Sequence, residues 1–245
     1  GIHPNEGKET FLFFLYFFCL IAAIIIGKTA RDVFFLSRFN PSFLPQIFII
    51  SAACVMVTTI FFIRSARNKD MFLFAKITGA LFALSLLLIN TFLNKWTYPV
   101  LYVWIDIIGA ILIPQFWLLA NTRFTTRQAK RLFGPIGAAS AFANIIIGFS
   151  IQYGIILPKF LLPIAAMFLF FSLLIIHTIK NSAPNNGISQ TYFRKEKINS
   201  NISIFASIKD HKYIGLLCII VAVSSITITL IEYQFKIIAS NTYSE

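Results

Sequence analysis

Seven apolar stretches of about 17 to 25 residues recur along the sequence, and each is long enough as a helix to cross a hydrocarbon layer about 30 Å thick at about 1.5 Å per residue. They run from Phe11 to Gly27, Phe43 to Ile63, Met71 to Asn90, Tyr98 to Asn121, Gly134 to Ile156, Phe160 to Thr178 and Tyr213 to Ile238. The expected fold class is therefore an all-α membrane protein with seven transmembrane helices. Composition points the same way: 12% of the 245 residues are charged and 58% are hydrophobic. A soluble domain carries about 25% charged residues, so this chain could not cover a core of its size with a solvated surface. A soluble enzyme, a secreted scaffold and a disordered tail are excluded. The first stretch is long for a signal peptide and has no cleavage-site pattern after it, so it reads as a mature helix.

The formal net charge is +12. The basic residues lie in short polar loops rather than in a stripe interleaved with exposed aromatics, so nucleic acid is not the expected partner. They fall on alternate sides of the spans very unequally. One side receives Lys8, Arg64, Arg67, Lys69, Arg123, Arg127, Lys130, Arg131, Lys180, Arg194, Lys195, Lys197, Lys209 and Lys212; the other receives Arg38, Lys95 and Lys159. Basic loops stay in the cytoplasm, which orients the N-terminus inward and the end of the seventh span outward. The expected organisation is a cytoplasmic N-terminus over 1–10, a six-helix membrane unit over 11–179, a cytoplasmic linker over 180–212 and a seventh helix from 213 to 245. Pro184, Asn185, Asn186 and Gly187 give the linker its turn-rich character. This is the layout of the first half of a twelve-helix transporter followed by the opening of its second half, so the chain is expected to be one part of such a carrier, with the C-terminal half as its missing partner.

The chemistry is expected where ionisable groups sit at membrane depth, because such groups are expensive there and turn to a cavity or a partner. Lys28, Arg31, Asp32 and Arg38 follow the first apolar stretch. At about 100° per residue they fall near 0°, −60°, 40° and −80°, one face of a helix that would have to run on past Gly27. Asp106 lies eight residues past Tyr98, about 12 Å into the fourth span, and its short side chain cannot reach an interface as a lysine can. It needs a partner, and Lys28 or Arg31 would serve. On the seventh span Glu232 and Lys236 stand four apart, the favourable order for a helical ion pair. Lys76 is expected to snorkel to the cytoplasmic side, and His177 to lie at an interface.

Other patterns carry less chemistry. Ala22 to Thr29 reads A-A-I-I-I-G-K-T, a relaxed P-loop match, but Ala and Ile in an unbroken apolar helix expose no backbone N–H groups to a phosphate. No GxGxxG, HExxH, CxxC or GxSxG occurs, so no enzyme site, metal or cofactor is expected. Cys19, Cys54 and Cys218 are expected as buried packing residues. Gly134, Gly137, Ala138, Ala139, Ala141, Ala143 and Gly148 make a small-residue surface on the fifth span suited to close helix packing, with Asn144 and Gln152 as potential cavity donors.

The segment Arg31-Asp32-Val33-Phe34-Phe35-Leu36-Ser37-Arg38 with Leu44-Pro45 resembles the end of the first helix in the bacterial and plastid ATP/ADP translocases, a nucleotide transporter family distantly akin to the major facilitator superfamily. So do Phe116-Trp117-Leu118-Leu119-Ala120-Asn121 and Gln128-Ala129-Lys130-Arg131-Leu132-Phe133, while Ile231-Glu232-Tyr233-Gln234-Phe235-Lys236 looks like the family's seventh-helix motif. The likeness runs over nearly the whole chain and is most specific at the fourth-to-fifth loop. It implies a twelve-helix, major-facilitator-like carrier exchanging nucleotides across a bacterial inner membrane. Carried over by position, Arg31 stands where those translocases commonly have lysine, beside the aspartate matched by Asp32; Asp106 stands where they have glutamate, and Glu232 and Lys236 match in kind. The implied substrate-binding set is Lys28, Arg31, Asp32, Asp106, Glu232 and Lys236. A facilitator for another anionic solute, or a membrane sensor or assembly component without transport, are the alternatives.

Overall fold

The computed structural model describes residues 6–66, 70–94, 96–181 and 212–243. Seven helices long and apolar enough to cross a membrane are present among them: α1 (Gly7–Leu36), α2 (Leu44–Ala66), α3 (Met71–Thr91), α4 (Thr97–Arg123), α5 (Thr126–Gln152), α6 (Leu161–Asn181) and α7 (Lys212–Tyr243). The chain is an all-α, multi-pass membrane protein. Residues 182–211, most of the expected linker, lie outside the described residues, as do residues 1–5 of the expected N-terminal segment. Two compact units result: one holds α1 to α6 apart from the connection 40–45, and the other holds that connection and α7.

Helix limits differ from the apolar stretches at α1 and α5. α1 begins at Gly7 and runs nine residues beyond Gly27, which brings Lys28, Arg31 and Asp32 onto one continuous helix. α5 begins at Thr126 instead of Gly134. The Thr125 side chain accepts from the Gln128 backbone N–H while the Gln128 side chain accepts from that of Thr125, a capping box that satisfies two donors the helix start leaves open. α5 ends at Gln152, before Gly154, whose φ of +67° suits glycine and stops the helix.

In the first unit α1 is the central helix, packed against α4, α5 and α6, while α3 packs on α6 and α4. Lipid tails are as apolar as these side chains, so close packing rather than water exclusion must hold the bundle. Two devices supply it. Fully buried alanines, among them Ala22, Ala30, Ala139, Ala143, Ala165 and Ala166, let the backbones approach. Interlocked rings fill the N-terminal end of α1: Phe17 stacks on Phe116 at 4.3 Å, and Phe13 meets Phe124 edge-on at 4.9 Å. The closest approaches fall at Gly27 and Gly79, where an added Cβ would lie 3.0 Å from Ile105 Cδ1 and 2.9 Å from Leu173 Cδ2. Gly134 and Gly148, expected as contact points, have no neighbour within 4 Å of that position, and Gly137 has only Trp117 at 4.0 Å. The small-residue surface is divided: Ala139 and Ala143 are buried, while Gly134, Ala138, Ala141 and Gly148 lie on the open side, together with Asn144 and Gln152.

The cysteine expectation holds only for Cys19. Cys54 is half-buried, and Cys218 is exposed because α7 is exposed throughout from Leu216 to Ile231. Lys76 meets α6, its Nζ lying 3.1 Å from His177 Nδ1.

Candidate functional site

Three charged side chains of the expected set meet inside the first unit. Arg31 stands five residues before the end of α1, about 8 Å from that terminus, and Asp106 nine residues into α4, about 13 Å from its start. Because these termini share one side of the bundle, the antiparallel packing of α1 on α4 brings the two side chains level. Arg31 Nη1 donates to Asp106 Oδ1, and the guanidinium is 2% exposed. Arg31 Nε lies 3.4 Å from Asp32 Oδ1. Of the two partners that the spacing allowed for Asp106, the structure selects Arg31.

Two uncharged residues that sequence reasoning missed complete the cluster. Ser51, in α2, donates its hydroxyl to Asp106 Oδ2 at 2.5 Å, so both carboxylate oxygens are engaged by different helices. Tyr102 is fully buried, and its ring centre lies 4.2 Å from the Arg31 guanidinium carbon, a cation–π contact that shields the charge from one side. Tyr102 precedes Asp106 by four residues, which places both on one face of α4; that spacing was a readable signal. Phe35 and Phe48 pack on the same ring at 5.4 and 6.1 Å. The buried guanidinium is neutralised by Asp106, lies close to Asp32 and rests against the Tyr102 ring, while the Ser51 hydroxyl serves the Asp106 carboxylate.

The opposite face of α4 is polar in a different way. Trp104 Nε1 donates to Ser85 at 2.8 Å, and Thr78 donates to Gln115 at 2.9 Å, which fastens α4 to α3. Near the N-terminal end of α1, Glu9 pairs with Arg123 at 2.5 Å and Glu6 with Arg131 at 2.6 Å, so part of the loop charge counted for orientation also ties α1 to α4 and α5. Asp70 caps α3 through the Phe72 N–H at 3.0 Å and meets Lys180 at 3.1 Å. Partial burial pushes the Asp70 carboxyl upward, but the Lys180 and backbone hydrogen bonds outweigh it and hold its pKa below the ordinary value.

Lys28 is exposed and stands apart from the cluster, one turn further from the end of α1 than Arg31. In the second unit, described by itself, Lys236 donates to Glu232 at 2.9 Å, the helical pair expected from their spacing. Among the described residues no group of three or more His, Cys, Asp or Glu is placed to hold a metal. A groove of about 370 Å³ between α3 and α6, with Leu87, Met167 and Phe171 in its wall, offers no polar group to orient a ligand.

No protein-family model matches the chain, and no solved structure matches it. It is similar to ADP,ATP carrier protein 3 of Rickettsia bellii (strain RML369-C). The two are 24% identical over 174 residues, which take in 58% of this chain and 34% of that carrier. The likeness is thus less extensive than the near-whole-chain resemblance expected from the motifs, and the chain spans about a third of the length of the curated relative it matches.

Proposed function

We propose that this chain belongs to a transmembrane carrier that exchanges nucleotides of the ATP/ADP type across a bacterial inner membrane. In this reading α1 to α6 form one half of a twelve-helix, major-facilitator-like body, α7 opens the other half, and the N-terminus is cytoplasmic. The observation that carries the reading is the Arg31–Asp106 pair at membrane depth, with Asp32 and Ser51 at its edges, in a chain whose relative is a named ADP,ATP carrier. Ionisable groups there are costly to build and mark a solute path, whether they meet the solute themselves or hold in place the residue that does. Lys28, Arg31, Asp32, Asp106, Glu232 and Lys236 are the proposed charged residues of that path. A nucleotide brings several negative charges, and cations held out of bulk water replace its hydration with charge-assisted hydrogen bonds. Alternating exposure then follows from rocking one half of the body against the other around a midplane site.

The test is equilibrium binding of labelled ATP to the purified full-length protein, with flux through reconstituted vesicles measured beside it. Binding together with flux supports the reading. Flux of another anionic solute without nucleotide binding supports a different facilitator, and neither binding nor flux supports a non-transporting component; either result overturns the nucleotide carrier.

A further inference from the structure

The two cations of α1 at this depth are in opposite situations. Arg31 is buried, and its guanidinium already faces Asp106, Asp32 and the ring of Tyr102. Turning it toward a substrate would strip Asp106 of its cation and leave only the Ser51 hydroxyl on that carboxylate. Lys28 has no hydrogen bond or ion pair among the described residues, and it is exposed. Its neighbours on the helix are not: Ile26 and Ala30 are fully buried, and Gly27 sits against Ile105 of α4. Between Phe11 and Lys28 no residue of α1 is exposed. Lys28 is therefore the one exposed residue of α1 over 12–32, at an opening flanked on its own face by Ile24 and Arg31, both buried against α4. A cation in such a place, with a flexible stem and three donors, is a ready contact for a multiply charged oxyanion.

We propose that Lys28, and not Arg31, is the residue of α1 that meets the polyphosphate of the substrate, and that Arg31 is a positioning residue that fixes α1 against α4 and α2. This deepens the carrier reading and rests on it. Arg31, Asp106, Ser51 and Tyr102 form a preassembled brace, and the brace sets where along the path the Lys28 ammonium stands. The two roles make different kinetic demands. Losing a substrate contact raises the half-saturating concentration, whereas loosening a brace lowers the rate of the conformational cycle.

The experiment uses the full-length carrier in vesicles loaded with ADP, with KM and Vmax for labelled ATP read beside membrane protein level. Lys28→Gln should raise KM about tenfold or more, as expected for one lost charge-assisted hydrogen bond, and Lys28→Arg should stay within about threefold of wild type. The isosteric pair Arg31→Met with Asp106→Leu should lower Vmax while KM stays within about threefold. Wild-type KM in Lys28→Gln, or a rise in KM in the Arg31/Asp106 pair equal to that of Lys28→Gln, overturns the assignment. A second readout is independent of flux: the Lys28 amine itself should be acylated by an aqueous amine reagent, read by peptide mass spectrometry, and be protected by inorganic tripolyphosphate but not by sulfate. Protection without any ATP uptake by the wild type overturns the nucleotide reading and upholds Lys28. Uptake without protection overturns Lys28 and upholds the carrier.

Discussion

Replacing Asp106 by alanine should destabilise the bundle by about 3 kcal/mol or more. Removing one partner of a buried ion pair generally costs about 3 to 5 kcal/mol, because the remaining charge has neither water nor counter-ion. Here the lower part of that range applies, since Arg31 keeps Asp32 at 3.4 Å and the face of Tyr102. The Ser51 hydroxyl loses its acceptor as well, adding about 1 kcal/mol. At about 2 to 4 °C per kcal/mol for a chain of this length, the melting temperature should fall on the order of 10 °C. The assay is thermal denaturation of a fluorescent fusion in detergent, with membrane level quantified in the same cells. Asp106→Asn should be milder, because an acceptor for Ser51 survives. Arg31→Met combined with Asp106→Leu should return to within about 1 kcal/mol of wild type, since no lone charge remains and the volume is kept. A melting temperature for Asp106→Ala within a degree or two of wild type, with normal membrane level, would refute the idea that the carboxylate neutralises Arg31.

Gly79→Leu should cost about 1 to 3 kcal/mol by overpacking against Leu173, and Leu173→Ala should recover part of it, read as melting temperatures of single and double variants; additive losses would contradict the close approach. The Asp70 carboxyl has a lowered pKa in the folded protein, so its contribution to stability is present above the ordinary carboxylate value near about 4 and is lost as pH falls through the lower folded value. With Asp70 and Lys180 side chains 49% and 46% exposed, that contribution should be small and screened by salt, and Asp70→Asn should flatten stability between about pH 5 and pH 3. Cysteines placed at Arg127 and at Lys159 should be labelled from opposite sides, the first from the cytoplasm; the reverse pattern would invert the orientation.

The seven helices were legible because bilayer thickness imposes a length that no soluble element needs to meet. Their ends were less so. Hydropathy marks where apolar side chains stop, while the start of α5 is set by Thr125 and Gln128, eight residues ahead of the apolar run. Asp106 was legible as a residue in need of a partner, because a carboxylate cannot snorkel from that depth. Choosing between Lys28 and Arg31 was beyond the sequence, since they differ by about 60° around α1 and only the packing of α1 on α4 decides which faces the carboxylate. Ser51 and Tyr102 carry no charge and blend into apolar runs, so their role emerges only when three helices are placed together. The glycines and alanines of α5 promised close contact by spacing alone, yet the tightest approaches use Gly27 and Gly79, isolated glycines opposite bulky side chains on neighbouring helices.

Trans-stimulation separates nucleotide exchange from every other transport behaviour. Full-length protein is reconstituted into vesicles that contain either ADP or buffer alone, and entry of labelled ATP is followed in both. ATP should enter ADP-loaded vesicles rapidly, matched by ADP exit, and should enter empty ones little. No ATP entry into ADP-loaded vesicles, under conditions where the protein is folded and carries another solute, would contradict nucleotide exchange.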